Sequence, residues 1–217
     1  RFLHAQIQVV PFELALARGE GFELMAPLID QIRGPENRWI AAVVSTFAAS
    51  VAAHLGQSED ALRALAAALP AVERAPGWAV NYTYMIHLAV HTLWVLGRTD
   101  HAAIIERNLR EKTVTPDFRY PHTDGRLSLA RLCALQGRAD EAAEWFAKAR
   151  TVLDEQGARP LRALADFDEA WMCRRRGAPG DRERALPLLD AAVRQFREIG
   201  MAGWLRRAEE LRRALLG

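Results

Sequence analysis

Four glycines recur along the chain in almost equal steps: Gly56, Gly97, Gly137 and Gly177 are separated by 41, 40 and 40 residues. Gly19 adds a weaker fifth rung, 37 residues before Gly56. Five residues after the glycine stands an alanine in three cases (Ala61, Ala102, Ala142). Leu24 holds that place after Gly19, and three extra residues delay it to Ala185 after Gly177. A fixed period of this kind marks one supersecondary unit repeated along the chain. Such units stack because a single one cannot bury its own apolar face.

Each unit reads as a helix, a glycine turn and a second helix. Around Gly137, Leu127, Ala130, Leu132, Cys133 and Leu135 form an apolar stripe that ends at Gln136-Gly137. Glycine suits the residue after a helix because it enters the left-handed region without Cβ strain. Asp140 and Glu141 then fall in the first turn of the next helix, where the dipole favours anions. That helix carries Ala142, Trp145, Phe146, Ala149, Val152 and Leu153 at helical spacing. The same plan gives Leu96-Gly97 with Thr99 and Asp100 opening the next helix, and Leu55-Gly56 with Ser58 as the N-cap. The expected units span 1–36, 37–76, 77–118, 119–158 and 159–200 of one repeat domain covering 1–217. A helix over 203–216 follows, and its charged side is expected to cap the stack. Pro11, Pro27, Pro70 and Pro187 fall inside or near the ends of these helices and are expected to kink or shorten them.

Half the residues are hydrophobic and 26% are charged, enough for a packed core. Net charge is −1 over residues 1–110 and +3 over 111–217. Neither half has the basic excess of a protein that holds nucleic acid through its phosphates, so a nucleic-acid partner is disfavoured. No stretch approaches the ~20 apolar residues that span a bilayer. Cys133 and Cys173 stand 40 residues apart, in equivalent places, and read as small packers in a reducing cytoplasm. The chain opens without an initiator Met, inside an apolar run, and is read as a fragment of a larger protein. It contains no phosphate-binding glycine loop, nucleophile elbow or paired catalytic carboxylates. A non-catalytic role without cofactor or metal is therefore expected.

The segment from Gln136 to Ala149 resembles the centre of a tetratricopeptide repeat. In that family a glycine turn precedes an alanine, an aromatic four residues on and a further alanine, the places of Ala142, Phe146 and Ala149 here. The period of about 40 exceeds the family's 34, and Arg126 stands where an aromatic is usual. Longer repeats of this kind are similar to the sensor arrays of large bacterial signal-transduction ATPases, LuxR-type and maltose-activator-type regulators, and ATPases linked to nucleotide cyclases. The ending from Phe196 through Trp204 to Glu209 is similar to the tails of such proteins. The resemblance covers about residues 37–200. It implies an all-α fold: a right-handed α-solenoid of about five antiparallel helix pairs with a C-terminal capping helix.

In such arrays the first helices line the concave wall. Counting back from Gly97, the inward places fall on Tyr84, His87, His91 and Trp94, one helical face by their spacing of 3, 4 and 3. A buried Tyr or Trp covers ~150–250 Å². At ~25 cal/mol/Å² the pair is worth up to ~7–12 kcal/mol, so the stripe is either covered by neighbouring units or kept for a ligand. Phe167 and Trp171, sharing a face with Leu164, would extend the wall. His87 and His91 have the i,i+4 spacing of a metal pair, but nothing nearby completes a site. His54, His101 and His122 read as surface or turn residues. Asp166, Asp168 and Glu169 near Arg162 and Arg174 read as helical ion pairs before acid–base groups. Arg174, Arg175 and Arg176 end a helix, where cations complement the dipole.

The expected function is a sensor or docking domain of a larger bacterial regulator. Its groove would take a peptide segment, a protein partner or a small effector and bias the attached domains. A structural spacer or oligomerisation module is the alternative, and a nucleic-acid-binding array ranks below it.

Overall fold

The computed structural model describes residues 2–32, 38–74, 80–112 and 124–217, and among these all regular structure is helical. The described part divides into two compact units, residues 1–13 with 21–119 and residues 14–20 with 120–217. Three expected repeat boundaries (36/37, 76/77 and 118/119) lie outside the described residues, as does His122.

In the first unit, α1 (Phe2–Arg18) contributes its first part. A 3-10 turn (Phe22–Leu24) leads into α2 (Ala26–Ile32), and α3 (Arg38–His54), α4 (Ser58–Arg74), α5 (Val80–Leu96) and α6 (Ala102–Lys112) follow. From α2 to α6 consecutive helices pack on one another, and α3 also packs on α5. The second unit holds α7 (Gly125–Leu135), α8 (Ala139–Glu155), α9 (Arg159–Arg176), α10 (Asp181–Ile199) and α11 (Ala202–Leu216). Here too neighbours in sequence pack together, with α7 and α11 each also touching α9.

All five glycine rungs are left-handed helix ends, and three of them make the same turn. Gly19, Gly56, Gly97, Gly137 and Gly177 have φ of 72, 76, 66, 77 and 62°. At Gly137 the amide of Arg138 donates to Cys133 O at 2.9 Å and that of Gly137 to Ala134 O at 3.2 Å. This pair of bonds satisfies carbonyls that the helix end leaves orphaned. The same pair recurs at Gly56 (2.9 and 3.1 Å) and Gly97 (3.0 and 3.2 Å). Beyond each turn the alanine is sealed in the helix contact: Ala61, Ala142 and Ala185 are fully buried and Ala102 nearly so.

Leu24 departs from this plan. It is 67% exposed and lies in the 3-10 turn, so no helix presents it to a core. Ser58 opens α4 as its first helical residue, with Gln57 before it. Helices α1, α4 and α10 run through Pro11, Pro70 and Pro187, while Pro27 sits in the first turn of α2. Pro70 and Pro187 face solvent, where the carbonyl each leaves without a donor finds water; burial of Leu69 and Val72, and of Ala185 and Leu189, holds the helices through them. No helix among the described residues is long and apolar enough to cross a membrane.

Candidate functional site

Helix α5 is the most buried of the first unit, and its aromatic–histidine stripe is packed from within that unit. His87, His91 and Trp94 are only 6, 8 and 5% exposed, and Tyr84 is half-buried. The Tyr84 hydroxyl donates to a Glu13 carboxylate oxygen. Its ring lies 6.3 Å from that of Phe47, which in turn meets Phe12 edge-on at 4.5 Å. His91 Nε2 sits 2.9 Å from His54 Nε2, so one imidazole donates to the other. His54 is itself stacked on Phe22, centroids 3.8 Å apart and planes within 6°. It is a wedge between the 3-10 turn and α5, not the surface residue its isolation in the sequence suggests. His101 is an exposed turn residue, with φ of 61°.

The same unit holds a second feature. A cleft of about 750 Å³ opens beside α2, α3 and α4. Its floor is made of small side chains, Ala41, Ser45, Ala48 and Ala52 of α3 and Ala64 and Ala67 of α4. Gln57, Asp60 and Arg63 supply the polar end, the last two ion-paired at 2.7 Å. Helix α2 contributes Ala26 and Ile29 to its lining. The Phe22–His54–His91 stack pins the chain just before α2 and so holds this wall in place. The spacing 41, 45, 48, 52 is a helical face of small residues that the sequence displays; nothing in the sequence says that it lines a cleft.

Phe167 and Trp171 lie on α9 in the second unit. Phe167 is buried, 6.2 Å from Phe196 and 5.9 Å from Trp204, both at edge-to-face angles. Trp171 is half-buried with the Arg175 guanidinium 4.7 Å from its ring centre. On the same helix Asp166, Asp168 and Glu169 are each 1% exposed and belong to a network of four arginines. Arg131 of α7 meets Asp168 at 2.7 Å, and Arg150 of α8 pairs with Glu169 and approaches Asp166 at 3.7 Å. Arg162 pairs with Asp166, and Arg184 of α10 pairs with Glu169. The expected partner Arg174 is exposed and makes none of these pairs; Arg131, Arg150 and Arg184 come from other helices, beyond the reach of spacing within one helix. Burial pushes the Asp166 carboxyl above the usual range, against the pull of Arg162 and Arg150. Four helices converge here on charges that neutralise one another, an arrangement suited to fixing helix register. Cys133 and Cys173 are both buried, and burial pushes the Cys173 thiol up, away from the reactive thiolate.

No protein-family model, curated protein or solved structure matches the chain.

Proposed function

We propose that the chain is a non-catalytic binding domain, a right-handed α-solenoid of antiparallel tetratricopeptide-like helix pairs within a larger bacterial regulatory protein. Its partner is a peptide segment or protein helix, and its occupancy biases the attached domains. The observation that carries this reading is the α2–α3–α4 cleft. Its volume lies in the ~300–1,000 Å³ range of ligand sites, and it combines an apolar floor with a few polar groups at one end. Alanines in the floor let another backbone approach closely, as helix-in-groove recognition requires. The stripe of Tyr84, His87, His91 and Trp94 acts in this reading as the support behind the cleft.

Fluorescence anisotropy with two labelled amphipathic helical peptides, one acidic and one basic on the polar face, tests the assignment. At least one peptide should bind saturably. Ala48→Trp or Ala64→Trp, which fill the floor, should weaken binding at least tenfold while leaving helix content unchanged. Absence of binding by both peptides, or binding indifferent to the filled floor, would overturn the reading. The burial of His87, His91 and Trp94 favours the spacer alternative, which predicts that outcome.

A further inference from the structure

The end of α1 and the turn after it, residues 14–20, are held by α11, at the far end of the sequence. Trp204, 4% exposed, donates its indole N–H to Leu16 O at 2.8 Å, a contact across 188 residues. Leu16 O is one of the carbonyls that a helix end leaves without an internal partner. Arg206 pairs with Glu20 at 2.9 Å. Between these two bonds the backbones touch. A Cβ on Gly203 would run into the carbonyl of Gly19 and come within 2.8 Å of Arg18 O. A Cβ on Gly19 would lie 2.8 Å from Trp204 Cδ1 and 2.9 Å from Trp204 N. The carbonyl end of α1 thus abuts the amide end of α11, the favourable order of two helix dipoles.

This contact has the parts of a peptide-recognition site: an aromatic anchor with a directed donor, a charge at the rim, and a floor that admits only glycine. It also discriminates among helix ends. Gly56, Gly97, Gly137, Gly157, Gly177 and Gly200 end helices too, followed by Gln57, Arg98, Arg138, Ala158, Ala178 and Met201. Gly19 alone among these is followed by a carboxylate, Glu20, that can meet Arg206. We propose that Leu14–Glu20 is a ligand held in cis, and that the α11 surface binds the same segment of a second copy of this chain whenever the internal one is released. Segment exchange of this kind reuses an existing interface and adds no new contact. The tether gives the internal copy a high effective concentration, so the closed form dominates in dilute solution.

Two variants separate the ligand from its receptor. Gly19→Val spoils the segment, because its backbone sits at φ 72° against Trp204, and leaves α11 intact. Gly203→Val spoils the receptor and leaves the segment free. Light scattering on an equimolar mixture should show a 1:1 complex that neither variant forms alone. A labelled synthetic peptide of residues 8–24 should bind the Gly19→Val chain at least tenfold more tightly than the unaltered chain, and the double variant not at all. A mixture that stays uncomplexed, or a peptide that binds all chains alike, would refute the proposal. Should either variant fail to fold, as read by circular dichroism, the unaltered chain decides. Excess unlabelled peptide must then speed hydrogen exchange at Leu14–Glu20 at least threefold, and unchanged exchange would refute the proposal equally.

Discussion

Asp181 opens α10 with a carboxylate that accepts from the Ala178 amide at 2.8 Å and from the Arg176 guanidinium. The bond from Arg176 holds its carboxyl below the ordinary Asp range, against the opposing effect of burial. A depressed carboxyl stabilises the fold above the unfolded-state value and loses that contribution as pH falls through the folded value. Asp181→Asn should therefore cost about 1–2 kcal/mol at pH 7, the scale of a charge-assisted bond to a partly exposed arginine. In urea unfolding the gap to wild type should start to narrow below about pH 4 and keep narrowing with added acid; a gap that does not change as pH falls through this range would show that packing is responsible instead. The α9 network behaves differently. Arg131 is 8% exposed with Asp168 beside it, so Asp168→Asn strands a buried cation and should cost about 3 kcal/mol. Asp166 already bears a burial penalty that its arginines do not offset, and Asp166→Asn should change stability by less than about 1 kcal/mol at pH 7. Equal losses from the two substitutions would contradict this division.

At the scale of elements, the repeated turn is a matter of backbone, and that is why it could be read from spacing alone. A Cβ at Gly137 would meet nothing within 4 Å, so Gly137→Ala should cost only the strain of φ 77°, about 1 kcal/mol. Ala142→Leu should cost about 1–3 kcal/mol by overpacking, because the alanine is fully buried between helices. Thermal unfolding of the two variants compares them directly, and a costlier change at Gly137 would mean that the turn carries more than conformation. Helices whose partners are neighbours in sequence were legible for the same reason. The first rung misled at Leu24 because the period gives a position but not the kind of element that follows, which here is a 3-10 turn. The alanines of the cleft were visible as a pattern and not as a site, because a small-residue face reads the same whether another helix covers it or leaves it open. His54 was misread because a lone histidine shows its role only when the ring stacked on it is known.

At the scale of the whole molecule, stability in proteins built from sequence-local contacts is close to a sum of neighbouring interfaces, so damage stays near its source. Phe146 and Phe196 are fully buried in the second unit, and Leu65 is fully buried in the first. Phe196→Ala should cost about 3–5 kcal/mol. Hydrogen exchange should then accelerate across α9, α10 and α11 more than across α3 and α4, with Leu65→Ala giving the reverse pattern. Residues 14–20 make the experiment discriminating. By sequence they lie beside the first unit, yet they are held by Trp204, which shares Phe167 with Phe196. Their amides should therefore follow Phe196→Ala, although residue 20 and residue 196 stand 176 positions apart, and ignore Leu65→Ala. No periodicity could have announced this pairing, since a repeat relates each unit to the next and says nothing about the two ends. If residues 14–20 instead exchange in step with α3 and α4, the grip of α11 on that segment is weaker than its hydrogen bond and close glycine contact require.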